Sequence, residues 1–245
     1  MSDATLRAWL KPLVFSSSLS TAAAVGFPWE ITRTNALTKR DTVDIYAKDG
    51  SIPGFNSRLS LLPDYGFGFV VLVAGPGTFV VNTLAEAVLS HAFPAVEAVG
   101  RHSMQSLGYT GRFSAGNDDW IEIAQDDGPG LMIKAWRSNG VDFMDTANKT
   151  NPGITRLALY PAEVLSADGK AEDWRGVVEY GDLPMSSLAL GTKGVWADQC
   201  FSWFLADRLH YGGQGVDKLV FRKKRKDGRV VAVEIPSLRV VLTRE

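Results

Sequence analysis

Between Asp44 and Ala74 the chain reads DIYAKDGSIPGFNSRLSLLPDYGFGFVVLVA, and no other stretch constrains the fold as strongly. Two runs, Ser57 to Leu62 and Phe67 to Ala74, flank Pro63-Asp64-Tyr65-Gly66. Proline presets one turn torsion and glycine supplies a left-handed position, so the two runs read as the arms of an antiparallel hairpin. A strand over Thr42 to Ala47 precedes them and carries Lys48-Asp49-Gly50 at its end. Gly75-Pro76-Gly77 then breaks the chain.

The remainder divides into two grammars that meet near Leu107. Upstream, a short helix over Ala4 to Leu10 is stopped by Pro12, and VGFPWEITR reads as a strand. After the hairpin, Thr78 to Leu89 reads as a helix ending near Phe93-Pro94, its nearly continuous apolar character suiting a helix pressed onto a sheet. Downstream, short apolar alternations are punctuated by Asp127-Gly128, Asn139-Gly140, Asp168-Gly169 and Asp227-Gly228. Many short strands at such spacing predict a β-barrel or sandwich. The fold class expected is therefore α+β: an incomplete antiparallel sheet with helices over residues 1–106, then an all-β domain over residues 107–245.

Composition narrows the function classes. With 245 residues, 45% of them apolar, the chain can bury a real core. A net charge of −1 offers no field to draw it to nucleic acid. The apolar run from Gly66 to Gly75 is about half the ~20 residues of a membrane-spanning helix, so no membrane insertion is expected. Cys200 stands alone, which excludes an internal disulfide framework. His91, His102 and His210 lack ligand spacing, and neither a metal nor a cofactor is expected. The opening MSDATLRAWLKPLVF has no apolar core behind a basic leader, which predicts a cytoplasmic protein; secretion is expected only if further residues precede Met1. Arg222 to Lys226 is the one charge run and reads as the solvated rim of a hairpin. Trp196, Phe201, Trp203 and Phe204 read as barrel filling or as the lining of a ligand pocket.

From Lys48 to Ala74, the order Lys-x-Gly, aliphatic strand, Pro-Asp, Gly and second aliphatic strand is similar to class C β-lactamases and related penicillin-binding serine hydrolases. VGFPWEI resembles the Gly-x-x-Trp-Glu strand that precedes this element in that family. Residues from about Gly108, beginning Tyr109-Thr110-Gly111-Arg112-Phe113, resemble the lipocalin-like β-domain appended to some members, particularly fungal ones. The resemblance implies that Lys48 sits beside a nucleophilic serine and attracts anionic substrate groups. It also implies that Ser51 lends its backbone N–H to an oxyanion hole, a preorganised donor for developing charge. Asp49 stands where the family usually has Thr or Ser, and its charge would repel a substrate carboxylate. Lys48, Asp49, Gly50 and Ser51 are thus the candidate catalytic and binding positions.

The partners of that motif are missing. No serine has a lysine three residues on, none of the six tyrosines begins Tyr-x-Asn, and Gly-x-Ser-x-Gly does not occur. The expected function is a truncated, non-hydrolytic member of the family: a small-molecule-binding or accessory protein, or an enzyme of non-acyl chemistry, with specialised-metabolite biosynthesis as its setting. Two alternatives stand beside it. One is a fragment of a serine hydrolase or transacylase whose N-terminal catalytic part is absent; the other is a lipocalin-like ligand binder. In the family the strand equivalent to Phe67–Ala74 has neighbours on both sides, so here an open edge is expected unless something covers it, with a homodimer through it, an edge covered by the chain's own N-terminal segment, or poor solubility as the outcome.

Overall fold

The computed structural model describes residues 2–17, 23–38, 42–75, 77–116, 118–150, 153–180, 210–224 and 226–245. The chain divides into two compact units, Met1–His102 and Ser103–Glu245.

In the first unit, helix α1 (Asp3–Trp9) is capped by Ser2, whose Oγ accepts from the Thr5 N–H. Six strands follow: β1 (Val14–Phe15), β2 (Ala24–Val25), β3 (Glu30–Thr34), β4 (Val43–Ile52), β5 (Phe55–Leu62) and β6 (Phe67–Ala74). They pair in chain order as one antiparallel meander. The β5–β6 turn is a single 3-10 turn, Pro63–Tyr65, closed by Gly66 at φ 58°, a left-handed position that glycine occupies without strain.

Alternation along the strands sorts the two faces of this sheet. Val43, Ile45, Leu62, Phe67, Phe69 and Val71 meet helix α2 (Thr78–Ser106). The helix answers with Val81, Ala85, Leu89 and Phe93, one residue every four along a single stripe. On the other face Trp29, Ile31, Tyr46, Leu59 and Leu61 gather with Trp9 and Leu10, the Trp9 and Trp29 rings meeting edge-on at 4.7 Å.

Helix α2 runs past Pro94, where the sequence places its end. Contacts on either side of the proline override its helix-breaking tendency. Phe93 is fully buried edge-on against Tyr65, and Thr38 donates to the Glu97 carboxylate at 2.9 Å. By length and composition Phe79–Ser106 is long and apolar enough to cross a membrane, with 22% of its most apolar window buried.

The second unit holds β7 (Gly111–Ser114), β8 (Trp120–Ala124), β9 (Leu131–Ser138), β10 (Val141–Asp142), α3 (Phe143–Thr150), β11 (Ile154–Leu165) and β12 (Ala171–Tyr180). It continues with β13 (His210–Tyr211), β14 (Gln214–Gly215), β15 (Lys218–Lys223), β16 (Val230–Ile235) and β17 (Val240–Arg244). Strands pair antiparallel in the order β9-β11-β12-β15-β16-β17-β7-β8, and the β8–β9 ladder closes the ring. The expected barrel or sandwich is therefore a closed eight-stranded barrel. Inward residues such as Phe113, Ile121, Ile133, Trp174, Leu219 and Phe221 form its core.

Two features of this unit escape the sequence reading. The run RVVAVEIPSLRVVLTRE is two strands, split by a 3-10 turn at Pro236–Leu238 with Arg239 left-handed. Helix α3 is the other, opened by Asp142, whose Oδ1 accepts from the Asp145 N–H at 2.9 Å. Trp196, Phe201, Trp203, Phe204 and Cys200 lie outside the described residues.

Candidate functional site

All four candidate residues, Lys48, Asp49, Gly50 and Ser51, lie on β4, and its geometry decides what they can do together. β4 and β5 are joined by Pro53-Gly54, with Ile52 opposite Phe55 and Gly54 at φ 82°. This tight turn fixes the register, setting Asp49 opposite Arg58 and Ser51 opposite Asn56. Side chains alternate, so Asp49 and Ser51 share the face that carries Ile45, while Lys48 and Gly50 share the face of Tyr46. The four residues do not converge on one point.

Asp49 is held by Arg58 through two hydrogen bonds of 2.6 Å. This bidentate contact lowers the Asp49 carboxyl pKa below the usual carboxylate range and raises that of the Arg58 guanidinium. The negative charge that the sequence sets against a substrate carboxylate is thus matched by a guanidinium on the opposite strand. Ser51 is similarly engaged, its Oγ donating to Asn56 Oδ1 at 2.8 Å. Gly50 meets a close neighbour: a Cβ there would sit 2.7 Å from Ser57 Oγ.

Lys48 remains the accessible charge. Its Nζ donates to Glu30 Oε1 at 2.7 Å, and both side chains are nearly half exposed. Glu30 is the glutamate of the Gly-x-x-Trp-Glu stretch, so the two sequence motifs meet through this ion pair. β3 pairs with β4 only as far as Glu30 opposite Ala47. From Lys48 to Ile52, the side of β4 away from β5 therefore has no ladder partner among the described residues. A lysine beside a free strand edge offers positive charge and outward N–H groups, the means of steadying an anion.

Glu30, Arg58 and Asn56 are the site residues that sequence reasoning passes over. The signal for Arg58 was Pro53-Gly54, because a two-residue turn there makes Asp49 and Arg58 equidistant from its centre.

The barrel has its own polar clusters. Arg156 binds Asp126 at 2.7 and 2.9 Å and Glu179 at 2.8 Å. Tyr109 donates to Glu172 at 2.5 Å, and Lys223 pairs with the same carboxylate. Burial and the Glu172 contact push the Tyr109 hydroxyl up to about 12. Among the described residues no cluster of His, Cys, Asp and Glu could hold a metal ion.

Residues 103–245 match a family model described as "Beta-lactamase-like-like, C-terminal domain". The chain belongs to this beta-lactamase-like family. A Beta-lactamase-like protein of Arthroderma benhamiae is 34% identical, over 94% of this chain and 43% of its own length. Probable hydrolase clz13 of Cochliobolus lunatus is 22% identical, over 99% of this chain and 41% of its own. Probable hydrolase M10 of a Phoma species is 22% identical, over 98% and 42%. The chain thus spans less than half the length of these beta-lactamase-like and hydrolase relatives. A solved structure of SurE with D-Leu aligns over 100% of this chain and 44% of its own at 14% identity, with a TM-score of 0.27, too low to carry a structural inference.

Proposed function

We propose that these 245 residues are the sheet-and-barrel portion of a beta-lactamase-like hydrolase and are non-hydrolytic by themselves. In this reading β4 contributes Lys48 and its free N–H edge, while the nucleophilic serine comes from residues outside this sequence. The observation that carries it is β6. Its sequence, FGFVVLVA, is that of an interior strand, yet among the described residues β6 pairs only with β5. Val71 is buried under α2, whereas Val70 and Leu72 on the opposite face are 57% and 77% exposed. An aliphatic strand with a free edge and a bare face is a template for another strand. The length of the relatives is in keeping with a further segment there.

The test has two arms. The purified chain should not hydrolyse nitrocefin or p-nitrophenyl esters, and a fluorophosphonate probe should label none of its serines. Co-expression with the part of the Arthroderma benhamiae protein that this chain does not match should give a stable complex that turns over ester, with Lys48→Ala reducing turnover. Stoichiometric labelling of a serine in the isolated chain, Ser51 above all, overturns the proposal. So does a homodimer through β6 that the added segment cannot displace.

A further inference from the structure

At one end of the barrel lies a cleft of about 390 Å³, lined by Gln105, Ser106, Leu107, Gly108, Lys224, Arg229, Val230, Val231 and Arg244. Its size is within the range of small-molecule sites. Three of the lining residues are cationic and none is acidic. We propose that this cleft binds a small dianion, a phosphate monoester or a dicarboxylate, independently of the strand-edge site on β4.

The charge run Arg222 to Lys226 supplies one of the cations, and strand alternation sorts its members. Arg222 pairs with Glu234 and Lys223 with Glu172, so both are neutralised on the barrel wall. Lys224 lies just past β15, where its N–H bonds the Arg229 carbonyl at 2.8 Å and closes the hairpin. That bond sets Lys224 and Arg229 side by side on the cleft. Among the described residues no carboxylate pairs with Lys224, Arg229 or Arg244. Of the acids nearest in sequence, Asp227 accepts through its Oδ1 from the Arg229 backbone N–H at 3.1 Å, and Glu245 is bound to Arg112 at 3.2 Å.

Helix α2 ends at this cleft, and its terminal carbonyls are the obvious competitor for the cations. Those of Ser103, Met104 and Gln105 are already occupied. The Tyr109 N–H bonds the Met104 carbonyl, and the Gly108 N–H, at a left-handed φ of 80°, bonds that of Gln105. The Leu107 N–H bonds the Ser103 carbonyl, and the Leu107 carbonyl accepts from Val230 at 2.8 Å. Arg244 Nη1 is held by the carbonyls of Gly108 and Thr110, both at 2.8 Å. Arg244 is therefore a fixed wall of the cleft, and the charges of Lys224 and Arg229 are left for a ligand. Two free cations beside a third that is fixed favour two negative charges over one.

Inorganic phosphate, malonate and acetate, titrated into the full chain at constant ionic strength and followed by amide chemical shifts, test this. Phosphate or malonate should saturate one site, moving the Leu107, Gly108 and Val231 amides, with acetate about tenfold weaker; the tighter of the two dianions identifies the ligand class. Lys224→Ala and Arg229→Gln, both at exposed side chains, should each weaken binding about tenfold, the scale of losing one close charge pair in a wet cleft. Lys226→Ala, at the hairpin tip, should leave it unchanged. Absence of saturable binding, shifts centred elsewhere, or equal weakening by Lys226→Ala, the mark of a diffuse field, each overturns the proposal.

Discussion

Replacing Leu72 and Leu62 separately tests whether β6 presents a bare face. Both leucines belong to the β5–β6 hairpin, yet Leu62 is 0% exposed and Leu72 is 77% exposed. Leu62 packs with Val43, Ile45, Leu89 and Phe93, which are themselves fixed between sheet and helix, so a cavity there can collapse little. Leu62→Ala should therefore cost about 3–4 kcal/mol, within the range for buried leucines. Leu72 has under a quarter of its surface left to lose. At ~1.5–3 kcal/mol for a fully buried side chain, its burial is worth about 0.5 kcal/mol, and the strand preference of threonine offsets part of that. Leu72→Thr combined with Val70→Thr should thus lie within about 1 kcal/mol of wild type. The two units can melt separately, so urea unfolding is best read by hydrogen exchange in peptides spanning residues 55–74. The same Thr pair should reduce concentration-dependent self-association in sedimentation, and should abolish any turnover regained with the complementary segment. A loss above about 1.5 kcal/mol in the Thr pair, or one equal to that of Leu62→Ala, would mean the face is covered in the isolated chain and would refute the reasoning.

Two further outcomes follow from the barrel. Tyr109 and Tyr160, both pushed up to about 12 chiefly by burial, should ionise last when phenolate absorbance is followed against pH. Folding favours their neutral forms relative to an unfolded value near ~10, so that stabilisation is complete below about pH 10 and lost as pH rises through about 12. Glu172→Gln should bring the Tyr109 midpoint down, and ionisation of every tyrosine near ~10 in a folded protein would contradict this account. Gly130→Ala should cost about 2–3 kcal/mol, because its φ is +69° and the new Cβ would stand 2.6 Å from the Leu159 carbonyl oxygen. Gly54→Ala, at φ +82° with nothing within 4 Å, should cost only the ~1–2 kcal/mol of the backbone conformation. Hydrogen exchange in peptides spanning each turn reads the two variants unit by unit.

Local chemistry explains most of what is legible before the structure. Pro63-Asp64-Tyr65-Gly66 places the β5–β6 turn because its torsional preferences reside in those residues and need no partner. Asn139-Gly140, both at positive φ, likewise marks the β9–β10 turn. The Lys-x-Gly and Gly-x-x-Trp-Glu motifs point to the beta-lactamase-like family that the comparisons show. α2 is legible as a helix but not in length, since continuation past Pro94 depends on Phe93 and Glu97 finding Tyr65 and Thr38.

The sequence by itself determined the β5–β6 hairpin and its turn, the change of grammar after the long helix, and the absence of a Ser-x-x-Lys motif within it. Only the tertiary structure decided barrel over sandwich, because that choice rests on the β8–β9 ladder, a pairing in space that alternation alone leaves open. It alone decided that Asp49 is neutralised by Arg58, that Lys48 answers to Glu30, and that two cations of the 222–226 run are neutralised while Lys224 has no carboxylate partner among the described residues. The physical reason is common to all three: a side chain's charge is set by what register and alternation bring within about 3 Å of it, and neither is a property of one residue or its chain neighbours.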